Sequence, residues 1–136
     1  MKQLKIFIID DDSVISFLAK KTIDATNVSS KIRDFQEGCE ALAFLKEFCD
    51  AAEELPDIIL LDISMPIMDG WHFLEEYALL MPKMSKKNNL YMFSSSISQI
   101  DIERAKNNPL VKDYIFKPLQ KERFLEMIEE LGETMN

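Results

Sequence analysis

The feature that most constrains the fold of this chain is the alternation of short apolar runs with longer segments of helical period. Four apolar runs lie at residues 4–9, 58–61, 90–93 and 114–116. Because these runs lack a strict polar alternation, they are typical of strands that are buried on both faces of a sheet. A fifth run, at residues 31–35, carries Lys31, Arg33 and Asp34 among its apolar residues, which is typical of an edge strand.

The segments between these runs have apolar residues at helical spacing. Ser13 is a candidate N-cap for the first helix, and residues 99–106 are expected to form a shorter one. Two of the predicted apolar faces are Ile15, Leu18, Ala19 and Thr22 in the first helix and Leu74, Tyr77, Ala78 and Met81 in the third. The resulting order βαβαβαβαβα predicts an α/β fold, in which helices cover both faces of a parallel sheet.

Length and composition limit the function classes. A chain of 136 residues, 47% hydrophobic and 29% charged, is predicted to form one domain over residues 1–136. The net charge of −8 disfavours nucleic acid and anionic membranes as partners, because both attract cations. No apolar run reaches the roughly 20 residues of a membrane-spanning helix, and no signal peptide is recognised, so a cytoplasmic protein is expected. The five residues after Leu131 leave no room for an output domain.

Three further features are predicted to have no catalytic role. Cys39 and Cys49 have no histidine nearby, so we expect buried free thiols rather than a metal or redox site. His72, the only histidine, is expected to face solvent at the start of a helix. The basic loop at residues 82–89 is expected to be solvated.

Polar residues follow each of the four strongly apolar runs. They are Asp10, Asp11 and Asp12 after the first, Asp62 after the second, Ser94, Ser95 and Ser96 after the third, and Lys117 after the fourth. In an open parallel sheet, ligands bind at the carboxyl ends of the strands. We therefore expect these residues to converge on one rim, where Lys117 and a divalent cation would offset the carboxylate charge.

The predicted cation follows from the type of ligand. Carboxylate and carbonyl oxygens favour Mg²⁺ or a similar hard ion over zinc or copper, and two or three protein ligands suffice for Mg²⁺. An alternative interpretation is that these acids are helix N-caps and solvated loop charges. The matching positions of Asp62, Ser94 and Lys117 favour the binding site.

Four sequence blocks resemble the receiver domain of bacterial two-component response regulators. The blocks are IIDDDSV, LLDISMPIMDG, FSSS and FKPL, and the resemblance covers residues 4–131. It implies a flavodoxin-like, doubly wound (βα)5 fold with a five-stranded parallel sheet in the order 2-1-3-4-5.

The resemblance also implies a role for each site residue. Asp62 would accept a phosphoryl group. Mg²⁺ would be bound by Asp10, Asp11, Asp62 and the backbone carbonyl of Ser64. The phosphoryl group would be bound by Ser94, Ser95 and Lys117, and Ser94 and Tyr114 would form the switch. No direct role is assigned to Asp12, and Pro118 would follow Lys117 through a cis peptide.

The function implied is a stand-alone response regulator and not an enzyme acting on other molecules. A histidine kinase or a histidine phosphotransfer protein would phosphorylate it, and it would then bind a downstream protein or pass the phosphoryl group on. Two alternatives remain open. The D-x-D-x-V pattern of Asp10, Asp12 and Val14 is also typical of aspartate-nucleophile phosphohydrolases, with Asp10 as nucleophile. The chain could also be a receiver-like binding module that is never phosphorylated.

Overall fold

The computed structural model describes residues 3–135, with side chains described up to residue 132. The strands are β1 (Leu4–Ile9), β2 (Ser30–Phe35), β3 (Ile58–Asp62), β4 (Asn89–Ser94) and β5 (Val111–Phe116). The helices are α1 (Ser13–Ala25), α2 (Gly38–Glu47), α3 (Gly70–Leu80), α4 (Gln99–Lys106) and α5 (Lys121–Met135). All paired strands are parallel, in the order β2-β1-β3-β4-β5. The predicted fold class and strand order are therefore confirmed.

Residues of the central strands alternate between two hydrophobic cores. Phe7 and Ile9 of β1 face the core beneath α2 and α3, whereas Ile6 and Ile8 face the core beneath α1 and α5. The five residues of β3 are all buried. Because helices cover both faces, a central strand can bury every side chain, which explains the continuous apolar runs in the sequence.

The two outer strands carry more charged residues than the inner strands. In β2, Lys31, Arg33 and Asp34 are exposed, and in β5 Lys112 and Asp113 are exposed. Charged edge strands oppose pairing with a further strand. The expectation that residues 31–35 form an edge strand is confirmed.

The buried faces of two helices differ from the predicted ones. In α1 the buried residues are Ser16, Ala19 and Ile23, whereas Leu18 remains 45% exposed. In α3 the buried side chains include Trp71 and Phe73 in addition to the expected Leu74 and Tyr77, and Ala78 and Met81 are exposed. The N-cap of α1 is Asp12 rather than Ser13, because the Asp12 carboxylate accepts hydrogen bonds from the first amides of the helix.

The expectation of buried thiols is wrong. Cys39 is exposed and Cys49 is half-buried, and both are free. Cys49 lies beyond the end of α2, since that helix ends at Glu47. His72 is exposed, as expected. Among residues 3–135, no helix combines the length and the apolar character that crossing a bilayer requires.

Buried Asp57 and Lys86 form an ion pair at the amino-terminal end of the sheet. Asp57 is 6% exposed, and its carboxylate accepts a hydrogen bond from the backbone amide of Lys5 at 2.9 Å. Its other oxygen lies 2.8 Å from Nζ of Lys86, whose side chain is only 16% exposed. Lys86 belongs to the loop at residues 82–89, so the expectation of a solvated loop fails at this residue.

Candidate functional site

The strand register brings the predicted site residues to one end of the sheet. Ile9 of β1 pairs with Leu61 of β3, so the next residues along the two strands, Asp10 and Asp62, lie side by side. Ser94, the last residue of β4, pairs with Phe116 of β5, and Lys117 follows directly. The predicted metal and phosphoryl ligands line one cleft of about 300 Å³ together with Asp12 and Ser96: Asp10, Asp11, Asp62, Ser64, Ser94, Ser95 and Lys117.

Lys117 reaches across this cleft to two buried carboxylates. Its Nζ lies 3.0 Å from Oδ1 of Asp62, to which it donates a hydrogen bond, and 2.7 Å from Oδ2 of Asp10. Asp10 is 1% exposed and Asp62 is 4% exposed. Ionised carboxylates are buried only when cations or hydrogen-bond donors compensate them. One amine therefore faces two buried carboxylates, and the cleft retains an excess of negative charge. The Lys117–Pro118 peptide is cis, as expected.

Burial and the excess of negative charge in the cleft raise the proton affinity of Asp62. Burial is the main cause, and the neighbouring Asp10 adds to it, so that the pKa of Asp62 rises to about 6. Contacts with Lys117 and the backbone of Ser64 oppose this rise but do not cancel it. Burial also pulls the pKa of Lys117 down, but its hydrogen bonds and ion pairs with Asp10 and Asp62 outweigh burial and raise it.

The acidic group has the composition of a site for a hard cation. One carboxylate oxygen from each of Asp10, Asp11 and Asp62 lies within 4.8 Å of the others. Oδ2 of Asp10 is buried, and the amine of Lys117 lies 2.7 Å from it. Asp11 is exposed at the mouth of the cleft. Three convergent carboxylates, two of them buried, fit the ligand preference of Mg²⁺.

Asp12 caps α1, which is the role that the alternative interpretation of the sequence gave to these acids. Oδ1 of Asp12 accepts hydrogen bonds from the amides of Val14 at 2.9 Å and Ile15 at 3.3 Å, which caps α1. The Asp12 amide in turn donates to Oδ1 of Asp10 at 2.9 Å. Aspartate is among the residues preferred at helix N-caps, and this preference in the sequence already favoured a capping role for Asp12. The arrangement orients Asp10 but commits Asp12 to the helix, which leaves the D-x-D-x-V alternative without structural support.

The serines at the end of β4 form a hydrogen-bonded turn that lines the cleft. The buried hydroxyl of Ser94 accepts a hydrogen bond from the amide of Ser96 at 3.0 Å. Ser95 is exposed beside it. The Tyr114 hydroxyl donates to the carbonyl of Ser96 at 2.9 Å. Ser94 and Tyr114 thus contact the same residue, Ser96, for which the sequence interpretation predicted no role.

The loop between β3 and α3 packs tightly against the acceptor strand. Gly70 begins α3, and its amide donates to the carbonyl of Ile63 at 2.8 Å. A Cβ at Gly70 would lie 2.5 Å from the carbonyl oxygen of Asp62. Ile67 has φ of 70°, and Met68 donates to the carbonyl of Pro66 across it at 2.7 Å, which makes a γ-turn. A β-branched residue rarely adopts this φ, so the loop is locally strained.

Comparisons with known proteins agree with this geometry. The family model of the response regulator receiver domain matches residues 6–129. This chain is a member of the receiver domain family. The receiver domain is 32% identical over 126 residues to the chemotaxis protein CheY of Listeria monocytogenes, an alignment that covers 93% of this chain and 96% of that protein.

Solved structures of response regulators have the same fold as this receiver domain. A two-component response regulator from Cytophaga hutchinsonii superposes with a TM-score of 0.88 at 28% identity, covering 98% of this chain and 99% of that one. The phosphorylated cyanobacterial phytochrome response regulator RcpA superposes with a TM-score of 0.73 at 27% identity, covering 97% and 93%. The predicted family and its general function in two-component signalling, a phosphoacceptor switch, are confirmed.

Proposed function

We propose that Asp62 is the phosphoryl acceptor of this receiver domain. The observation that carries the proposal is the position of its buried carboxylate, which shares the amine of Lys117 with Asp10 in an open cleft. A carboxylate oxygen of Asp62 forms a bond to phosphorus while the bond from phosphorus to the donor group breaks. The donor atom leaves with the electron pair, and the product on Asp62 is an acyl phosphate. Phosphoryl transfer depends mainly on positioning and charge neutralisation, which the cleft supplies.

We infer that the acidic group holds Mg²⁺. Its ligands are the carboxylates of Asp10, Asp11 and Asp62 and the backbone carbonyl of Ser64, and this donor set suits a hard dication. When bound, Mg²⁺ offsets the negative charge of the carboxylates and of the phosphoryl oxygens, so that these groups can approach each other. Asp10 is positioned for this role by the amide of Asp12.

Three further residues are assigned roles toward the phosphoryl group. Lys117 neutralises charge from the β5 side, the hydroxyl of Ser94 donates a hydrogen bond, and the small exposed Ser95 keeps the approach open. Ser94 and Tyr114 form the switch. When Ser94 turns toward the phosphoryl group, the turn that accepts the Tyr114 hydroxyl shifts, and Tyr114 changes its orientation.

The proposed donor is a histidine kinase or a histidine phosphotransfer protein in the cytoplasm. The single receiver domain of residues 1–136 then binds a downstream protein through the surface near Tyr114 and α4, or passes the phosphoryl group on in a phosphorelay. The relative RcpA is a response regulator described in its phosphorylated form, which supports phosphorylation as the input.

Intact mass after incubation with Mg²⁺ and acetyl phosphate tests the assignment. Wild type is expected to gain one phosphoryl group, and Asp62→Asn is expected to gain none. Asp10→Asn is the informative comparison, because it removes a metal ligand but leaves the acceptor, so that slow phosphorylation should persist. A phosphoryl group that maps to Asp10 would support the phosphohydrolase alternative. A wild-type protein that gains no mass at any Mg²⁺ concentration would support an unphosphorylated binding module.

A further inference from the structure

A groove of about 420 Å³ runs between α2 and α3, and none of its lining residues belongs to the acceptor cleft or to α4. Each side of the groove presents a polar residue, then two apolar residues and then a lysine, at the i, i+3, i+4, i+7 spacing of one helix face. The residues are Cys39, Leu42, Ala43 and Lys46 on the α2 side, and Glu76, Leu79, Leu80 and Lys83 on the α3 side.

The walls of this groove are fixed to the rest of the protein. Gly38 begins α2, and a Cβ there would lie 3.1 Å from Sδ of Met68 and 3.4 Å from the ring of Phe73, so the start of α2 is packed closely against α3 and the loop before it. In α3, Tyr77 is buried, and its hydroxyl donates to Oδ1 of Asn88 at 2.9 Å. A preformed groove loses little conformational entropy when a ligand binds.

The middle of the groove is apolar and open to solvent. Leu79 is 71% exposed and Ala43 is exposed, whereas Leu42 and Leu80 are half-buried. A single exposed leucine is common on protein surfaces, but here four apolar residues from two helices line one concave surface, which is typical of a binding site. An amphipathic helix is a ligand suited to such a groove, because it presents apolar side chains at i, i+3, i+4 and i+7.

Two lysines at one end of the groove determine the charge that it favours. Lys46 is in the last turn of α2, and Lys83 is in the short helical segment that follows α3. Both are exposed, and neither forms an ion pair with another described residue. The chain as a whole carries a net charge of −8, so the two amines form a local region of positive charge. Acidic residues are favoured in the first turn of a helix, where the helix dipole is positive.

We propose that the groove between α2 and α3 binds an amphipathic helix of a partner protein, with its apolar face on Leu79 and Leu80 and its acidic first turn on Lys46 and Lys83. The bound helix then runs antiparallel to α2 and α3, whose carboxyl ends lie beside the lysines, so the helix dipoles also attract one another. This surface goes beyond the proposed function, since it requires no phosphoryl group on Asp62.

Fluorescence anisotropy with two designed peptides tests the charge preference. The probe is a labelled amphipathic helix with leucines at i, i+3, i+4 and i+7 and glutamates in its first turn, and the second peptide has lysines in place of the glutamates. Non-specific attraction to a chain of net charge −8 would favour the basic peptide. Binding in the groove should instead make the acidic peptide bind about tenfold more tightly. A wild-type protein that binds the basic peptide as tightly as the acidic one would overturn the proposal.

Charge reversal shows whether the two lysines are responsible. Lys46→Glu combined with Lys83→Glu should reverse the preference between the peptides. Lys31→Glu combined with Lys87→Glu is the matched control, because it gives the same net charge at exposed positions outside the groove and should retain the preference. A preference for the acidic peptide that survives in the first variant would place the binding site elsewhere.

The apolar contact has its own pair of variants. Leu79→Glu should weaken binding of the acidic peptide about tenfold or more, whereas Ile100→Glu should leave it unchanged, because Ile100 is 78% exposed on α4 and lies outside the groove. Circular dichroism checks that both variants are folded. Equal losses in the two variants would contradict the proposal. Self-association of the protein that Leu79→Glu abolishes, measured by sedimentation, would make a second copy of the chain the occupant and would also overturn it.

Cys39 reports the orientation of the bound helix, because it lies at the end of the groove away from the lysines. A peptide with a carboxyl-terminal cysteine is activated as the mixed disulfide with thionitrobenzoate. The Cys39 thiolate attacks the peptide sulfur, a disulfide forms and thionitrobenzoate leaves, and Cys39→Ser is the control. Faster reaction of a peptide with an amino-terminal cysteine would reject the antiparallel orientation. Asp62→Asn should bind the peptide as wild type does, so this proposal and the assignment of Asp62 are tested separately.

Discussion

Nζ of Lys117 lies 3.0 Å from Oδ1 of Asp62, yet the pKa of that carboxyl group is still raised to about 6. The amine is shared with Asp10, whose Oδ2 is 2.7 Å away. Burial and the second carboxylate therefore outweigh the ion pair, and the ionised form of Asp62 is destabilised in the folded protein. The cleft is arranged to bind further positive charge, and this arrangement has measurable effects on stability.

Replacing Asp62 by Asn should stabilise the fold at neutral pH. A carboxyl group whose folded pKa lies near 6 and whose ordinary value is 3.8 opposes folding when ionised. After allowing for the lost hydrogen bond to Lys117, we expect the free energy of unfolding to rise by about 1 to 2 kcal/mol near pH 8. Because wild type gains a proton as the pH falls through 6, the advantage of Asp62→Asn should shrink toward pH 4. Urea denaturation across this range measures it, and a pH-independent difference would contradict the raised pKa.

Mg²⁺ affinity should depend on pH in the same window. The proton and the metal compete for Asp62, so the affinity should be constant above about pH 7 and should fall by up to about tenfold per pH unit below 6. Titration calorimetry at several pH values measures this dependence. In Asp62→Asn the affinity should be weaker throughout, and the pH dependence in this window should be reduced. Equal pH dependence in both proteins would place the competing proton elsewhere.

Replacing Lys117 should leave the buried carboxylates of Asp10 and Asp62 without a neighbouring positive charge. We expect Lys117→Met to lower the free energy of unfolding by about 3 kcal/mol near pH 8 without metal, as for a broken buried ion pair. Mg²⁺ should restore part of the loss, because it supplies the missing positive charge. Lys20→Met is the matched control: its ion pair with Asp34 is exposed and should contribute less than about 1 kcal/mol. Similar losses in the two variants would contradict this account.

Two glycines should respond in opposite directions to alanine. At Gly70 the new Cβ would meet the backbone of Asp62 and Ile63 at 2.5 and 3.0 Å, so the acceptor strand or α3 must move. Gly70→Ala should lose about 3 kcal/mol of stability and slow phosphorylation by acetyl phosphate. Gly132 lies in α5 with nothing within 4 Å of the new Cβ, so Gly132→Ala should gain up to about 1 kcal/mol. Thermal unfolding of both variants distinguishes steric conflict from a general effect of alanine.

The capping of α1 by Asp12 should be separable from the phosphorylation of Asp62. Asp12→Ala removes the acceptor for the amides of Val14 and Ile15 and should lower stability by about 1 kcal/mol. Asp12→Asn keeps a capping oxygen and should lose much less. Because Asp12 belongs to the helix and not to the acceptor group, both variants should still be phosphorylated on Asp62. Loss of phosphorylation in the folded Asp12→Asn protein would show that Asp12 takes part in the reaction.

The strand ends were predictable because a parallel sheet aligns them by topology alone. Each apolar run ended in a polar residue, and the observed register places Asp10, Asp62, Ser94 and Lys117 in one cleft. The pattern required no knowledge of side-chain packing. The fold class and the composition of the site therefore follow from sequence order.

The remaining features depend on packing, which sequence periodicity describes poorly. In α1 the small polar Ser16 is buried together with Ala19 and Ile23, whereas Leu18 is exposed. Ser96 is one of three consecutive serines, and only the path of the loop distinguishes it from its neighbours. The sequence does not distinguish Lys86 from the other lysines of the basic loop, because its ion pair with Asp57 forms only in the folded protein.

The contact between Arg104 and Trp71 gives the protein an intrinsic optical probe. Trp71 is the only tryptophan in the chain, and the guanidinium above its ring is carried by α4. Indole emission is sensitive to a nearby cation, so any change in the spacing between α3 and α4 alters the emitted light. Stopped-flow recordings on unlabelled protein can therefore follow the arrival of a ligand or a partner as it happens, with no dye attached to the surface under study.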